Sequence, residues 1–177
     1  MSNTVKSKKR TDFLKRVMEL LLDHETLSED VSRKSATEAT IQSALFARLN
    51  KKLEKYAKEY GLNDKQSRLV QDNFRYESKT TNHVNNFAVF STNHRPDAIL
   101  EMDGLRICVE LKKGDNGSSL RSGLGQCVIY GSEFDFTLYL FVDMTPNRNI
   151  KKSVDAEREK KIIDDLWDLH NVMFAIV

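Results

Sequence analysis

The sequence predicts an α/β domain built on a mixed sheet, and three stretches carry that reading. Asp103-Gly104 separates two largely apolar runs, the signature of a two-residue hairpin turn in which both residues take positive φ at low steric cost. Residues 136–142, FTLYLFV, are continuously apolar, as in a strand covered on both faces. An amphipathic segment and a last apolar stretch at 172–177 follow, a strand, helix, strand order that implies a right-handed crossover between parallel strands.

Composition bounds the function classes. The 177 residues are 40% hydrophobic and 31% charged, enough for one well-buried core. With 28 Lys and Arg against 26 Asp and Glu, net charge gives no argument for nucleic acid, so any such contact must come from local basic clustering. Cys108 and Cys127 are too few and too widely spaced for a disulfide framework or a zinc site; they are expected to pack as small apolar residues in a reducing compartment. No run approaches the ~20 apolar residues of a membrane span, and the N-terminus has no apolar signal core, so a cytoplasmic protein without membrane contact is expected.

Taken in order, residues 1–34 read as a basic tail, a short helix and a polar linker, and 35–177 as the α/β domain. Phe13, Leu14, Val17, Met18 and Leu21 recur at helical spacing, and Lys6, Lys8, Lys9 and Arg10 precede them as a solvated tail or a phosphate-contacting arm. A second helix is expected from Ser35, whose S-x-x-E relation with Glu38 is a capping box, to Tyr60, with Gly61 as its stop. Its stripe is Ile41, Leu45, Leu49 and Leu53. Strands are expected at 69–76 and 87–91 around an Asn-rich loop. After the hairpin, Gly114 to Gly117 form a turn, and Ser118 or Ser119 caps a helix reaching Tyr130. Gly123 and Gly125 lower helix propensity within it, which implies a close backbone approach. A basic loop at 143–153 leads to a helix over 154–170 with Ile162, Ile163, Leu166 and Trp167 inward.

The hairpin turn fixes a register. If Met102 faces Leu105, then Leu100 faces Ile107, Ala98 faces Val109 and Asp97 faces Glu110. The first three pairs are apolar and define a core face; on the other face Glu101 opposes Arg106, and Asp97 meets Glu110 with Lys112 diagonal to it. Two carboxylates and an ammonium therefore converge. Mg²⁺ or Mn²⁺ commonly takes one or two carboxylates with water and phosphate oxygens, and a lysine beside it can orient water and stabilise charge developing on phosphate. A solvated strand face with alternating charges is the plain alternative. His83 and His94 are solitary and read as surface or substrate-edge residues.

Pro96-Asp97, Glu110-Leu111-Lys112 and the Gln126-x-x-x-Tyr130 spacing resemble the PD-(D/E)xK, restriction-endonuclease-like nucleases, above all the nuclease domains of type I restriction motor subunits and the RecB-like nucleases. The resemblance implies an αβββαβ core with a mixed central sheet flanked by helices. It implies Asp97 and Glu110 as metal ligands, Lys112 as the catalytic lysine, and Gln126 and Tyr130 as residues that position the site or the DNA strand. Glu38, near the start of the first core helix, is by the same resemblance an additional ligand or a water-mediated partner; as a helix cap it is explained equally well. The expectation is a metal-dependent nuclease acting on phosphodiester bonds, DNA foremost, alone or with a partner protein or as a homodimer. The alternatives are a non-catalytic nucleic-acid-binding or assembly subunit of the same fold and a protein-interaction domain.

Overall fold

The computed structural model describes residues 6–22, 36–76, 84–154 and 156–177. A five-stranded sheet forms the middle layer. Its strands are β1 (Arg75–Tyr76), β4 (Ala98–Met102), β5 (Leu105–Gly114), β6 (Phe136–Asp143) and β7 (Val172–Ile176). β4 is antiparallel to β1 and β5, whereas β5, β6 and β7 run parallel, so the sheet is mixed. A separate two-stranded ribbon pairs β2 (Phe87–Val89) with β3 (Thr92–His94).

The β4–β5 hairpin has the register that its turn dictates: Met102 pairs with Leu105, Leu100 with Ile107 and Ala98 with Val109. Asp103 and Gly104 both take positive φ, 51° and 73°, the mirror-image turn whose twist matches the strands. Period-two alternation then sorts the side chains. Ala98, Leu100, Met102, Leu105, Ile107, Val109 and Leu111 enter one core with Phe136, Leu138, Leu140 and Val142. Helices α1 (Lys8–Leu21) and α2 (Glu38–Tyr60) cover that face, burying Phe13, Leu14, Val17, Met18 and Leu21 from the first and Ile41, Leu45, Leu49 and Leu53 from the second. The opposite face carries Cys108, Tyr139, Phe141 and Val172 against Cys127 and Tyr130 of α4 (Gly117–Tyr130) and Leu166 of α6 (Glu157–His170). Cys108 and Cys127 are buried free thiols, as expected of small core residues. Gly123 brings the backbone of α4 onto this face: a methyl group there would overlap the Tyr139 hydroxyl, which donates to Leu120 O at 3.2 Å. Gly125 faces open space, so the close approach expected of both glycines belongs to Gly123 alone.

Several local expectations are corrected. Residues 64–72 form helix α3 (Asp64–Asp72), so the strand expected over 69–76 shrinks to Arg75–Tyr76. The cause is a capping box in which Asn63 accepts from Gln66 N and the Gln66 side chain returns to Asn63 N, nucleating a helix before the strand-like residues are reached. The stretch 87–91 is a strand only to Val89; Phe90 and Ser91 turn the chain into β3. Helix α2 is capped by Thr37, whose hydroxyl accepts from Thr40 N, so Glu38 is its first residue rather than the third of a box begun by Ser35. Asn116 caps α4, and Ser119 donates to that cap instead of being one. Between 143 and 153 the chain is helical in part, with a 3-10 turn (Pro146–Arg148) and α5 (Asn149–Ser153), and α6 starts at Glu157 rather than 154. Ile162 is exposed while Leu166 is buried and Trp167 stacks on Phe136, which places the inward stripe of α6 one step round the helix. Ser35, His83 and the linker 23–34 lie outside the described residues.

Candidate active site

The antiparallel ladder between β4 and β5 ends at Ala98 and Val109, one residue short of Asp97. Beyond it β5 continues for five residues, paired with β6 on one edge only. The amides on its other edge need acceptors, because an unpaired buried N–H costs as much as a lost hydrogen bond. Two carboxylates supply them. Asp97 Oδ2 accepts from Leu111 N at 2.7 Å, and Glu38 Oε2 accepts from Lys113 N at 2.8 Å. Acidic side chains from two distant segments are thus fixed side by side along one strand edge, in the place a neighbouring strand would occupy.

Glu110 and Lys112 project from the face of β5 that carries α4. Lys112 Nζ lies 3.4 Å from Glu38 Oε1, so the helix α2 glutamate holds both the β5 backbone and the lysine. Glu110 is 3% exposed, and Tyr130 Oη donates to its Oε2 at 3.2 Å. Burial first, and the Asp97 charge second, push the Glu110 carboxyl up to about 8, against the pull of Lys112 and the Tyr130 hydrogen bond. Tyr130 is itself fully buried, and burial together with Glu110 raises its phenol far above the ordinary range. It is a fixed donor, not an acid.

Gln126 lies one turn before Tyr130 on the same face of α4. Its Oε1 is buried and accepts no hydrogen bond among the described residues, an orphan of the kind that marks a functional position or a site for a bound donor. Asp97, Glu110, Lys112, Tyr130 and Glu38 are therefore brought together through named contacts, and Gln126 joins them through the helix it shares with Tyr130. Among the described residues no three acidic, histidine or cysteine side chains stand close enough to form a ready-made metal cluster. Asp97 and Glu110 are the pair that fits a hard divalent cation, which takes one or two carboxylates and completes its shell with water and phosphate oxygens. The high proton affinity of Glu110 comes mainly from its burial, with the Asp97 charge as the second contribution.

Sequence reasoning expected the strand beginning at Phe87 but missed β3 and the ribbon that the two form beside the site. Phe87 meets the Tyr130 ring edge-on at 5.7 Å, and His94 stands 6.5 Å from the same ring, half-buried in an aromatic group completed by Phe134. Its turn, Phe90-Ser91, lacks the Asn-Gly or Asp-Gly chemistry that would have announced a hairpin. It missed Asp143 as well, which is buried at the end of β6 and accepts from Thr145 N, Thr145 Oγ1 and Lys151 N at 2.6–2.8 Å, fixing the loop that follows. An acid at the end of an apolar run is a recognisable loop-capping signal. Comparisons of the chain with protein-family models, with curated proteins and with solved structures find no match.

Proposed function

We propose that the chain is a metal-dependent nuclease that hydrolyses phosphodiester bonds, with DNA as its substrate. The observation that carries this reading is the convergence of Asp97, Glu110 and Lys112 at the unpaired edge of β5, with one carboxyl buried beside the charge of the other. A charge-raised, desolvated acid next to a second acid costs stability, and sites of that kind are maintained where chemistry needs them. Asp97 and Glu110 would hold Mg²⁺ or Mn²⁺. The ion supplies Lewis-acid polarisation of a phosphate oxygen and a more acidic bound water.

The remaining roles fall to the chain's own side chains. Lys112 is kept at the site by Glu38, and its ammonium stabilises negative charge developing on the phosphate or orients the attacking water. Glu38 has its two oxygens on Lys113 N and Lys112 Nζ, which suits it to positioning the lysine more than to ligating metal. Tyr130 holds Glu110 through its hydroxyl, and Gln126 Oε1 is a buried acceptor with no partner among the described residues. A non-catalytic nucleic-acid-binding subunit is the second reading, favoured by the lack of a third carboxylate at metal-holding distance among the described residues.

Incubating the pure protein with linear, circular and branched DNA in Mg²⁺ and in Mn²⁺ separates the two. The nuclease reading predicts cleavage that EDTA abolishes and that Lys112→Ala reduces at least about 10²-fold, the scale of a charge-stabilising or acid-base group. Cleavage unchanged in Lys112→Ala removes the lysine from the mechanism. Metal-dependent binding without cleavage by the wild type supports the binding subunit.

A further inference from the structure

The tip of the β2–β3 ribbon is built against two ordinary preferences. Phe90 is 93% exposed, the most exposed large apolar side chain among the described residues. It also has φ of 50°, and Ser91 has φ of 61°, so the two-residue turn needs left-handed backbone at both positions. Asn, Asp or Gly adopts that conformation at little cost, whereas a bulky aromatic is an outlier there. A single exposed apolar residue needs no explanation. An exposed aromatic that also strains its own turn invites one, because such strain persists mainly at ligand clamps and active sites.

The base of the ribbon is fastened to the candidate active site. Phe87, paired with His94 in the ribbon, packs on the Tyr130 ring, and Tyr130 donates to Glu110. Three residues of strand carry the chain from Phe87 to Phe90, a reach of about 10 Å at the strand rise of ~3.3 Å per residue. The tip is therefore joined to the Tyr130 side of the site by one short strand. Ser91, Thr92 and Asn93 around it are exposed and uncharged, so the surface offers a ring face without a charge to attract a phosphate.

We propose that Phe90 is a stacking finger for an unpaired nucleobase, so that the enzyme takes single-stranded, frayed or branched nucleic acid in preference to intact duplex. The inference rests on the nuclease reading for its location and on the exposure and backbone of Phe90 for its chemistry. A flat aromatic offered to solvent recognises any base through its π-face, without sequence readout. Within a closed duplex the base faces are already stacked on their neighbours, which leaves the finger nothing to bind.

The test measures binding and cleavage separately. Fluorescein-labelled dT20, the matching rU20, a 20-base-pair blunt duplex and a forked duplex are titrated in Ca²⁺ with wild type, Phe90→Ala and Phe90→Trp, and the DNAs are then cleaved in Mg²⁺. Phe90→Ala is expected to weaken binding to dT20 and the fork by about five- to hundredfold, the span of one base-aromatic stack, while blunt-duplex affinity moves less than about twofold. Phe90→Trp should retain the affinity of the wild type, and its indole fluorescence should change on adding dT20. Equal loss for dT20 and rU20 assigns the finger to bases in general. Phe90→Asn should melt above the wild type while binding single strands as weakly as Phe90→Ala, the signature of strain kept for function. Wild type that cleaves DNA while Phe90→Ala binds every probe normally overturns the finger and leaves the nuclease reading standing. A selective loss of single-strand binding in a protein that never cleaves sustains the finger and defeats the nuclease. Wild type that neither binds nor cleaves any probe overturns both.

Discussion

Glu110 and Asp143 are carboxylates buried on neighbouring parallel strands, and their acidities move in opposite directions. Burial raises both, but Asp143 accepts hydrogen bonds from Thr145 and Lys151, and these donors bring its carboxyl below the usual value. Glu110 has one neutral phenol donor and the charge of Asp97 close by, so burial prevails and its carboxyl rises from 4.5 to about 8. Between those two values the native chain holds a proton that the unfolded chain has released. The stability contributed by this group is therefore fully present below about pH 4.5 and is lost as pH rises through about 8, a change on the order of a few kcal/mol. Urea titrations from pH 5 to pH 9 should show that decline for the wild type, and Glu110→Gln, neutral at every pH, should flatten it. A wild-type profile as flat as that of Glu110→Gln would mean that Glu110 is stably charged in the fold. At this scale the sequence was informative about identity and silent about environment. The hairpin register up to Ala98 and Val109 could be placed from a turn and a period of two, but the expected Asp97–Glu110 pair falls one step beyond the ladder, and the partners of Asp97 and Glu38 depend on where β4 stops, which no spacing encodes.

Helix α4 shows how an element is shaped by what it lies on. Its two interior glycines, Gly123 and Gly125, look equivalent in the sequence, yet the fold separates them by the presence of one tyrosine below. Replacing a helical glycine by alanine gains roughly 0.5–1 kcal/mol from chain entropy. At Gly125, where nothing lies within 4 Å, that gain should appear whole. At Gly123 the new methyl must displace the buried Tyr139 ring, and overpacking typically costs 1–3 kcal/mol, so the clash should outweigh the propensity. Thermal melts of Gly123→Ala and Gly125→Ala should therefore shift in opposite directions; a stabilised Gly123→Ala would mean that α4 can lift off β6 at little cost. The elements with strong signals, α2 with its stripe, the hairpin and the largely apolar β6, were legible from periodicity and turn chemistry. Helix α3 was not, because Leu69, Val70, Phe74 and Tyr76 read as a strand unless the Asn63 and Gln66 box is given priority. The Phe90-Ser91 turn was hidden for the reason that makes it interesting: its residues are wrong for its backbone.

For the molecule as a whole, the mixed α/β sheet flanked by helices follows from the order of its apolar runs, and its covered faces follow from alternation along β4, β5 and β6. What remains a proposal is the chemistry at the edge of β5, and its central claim is that Asp97 and Glu110 together attract a divalent cation. Asp97→Asn is the informative substitution. The amide oxygen can still accept from Leu111 N, while the like charge beside Glu110 disappears, so in EDTA the variant should melt no lower than the wild type. Adding Mg²⁺ should stabilise the wild type by RT ln(1 + [L]/Kd), about 1.4 kcal/mol at ten times Kd, or roughly 3–6 °C for a chain of this size. The gain should be larger at pH 9 than at pH 6.5, because the cation must displace the proton that Glu110 retains at the lower pH. Melts of both proteins across a Mg²⁺ series decide it: a cation held by the two carboxylates gives a saturable rise for the wild type that Asp97→Asn largely loses, whereas a wild type indifferent to Mg²⁺, with an Asp97→Asn variant that melts lower in EDTA, would rule that cation out.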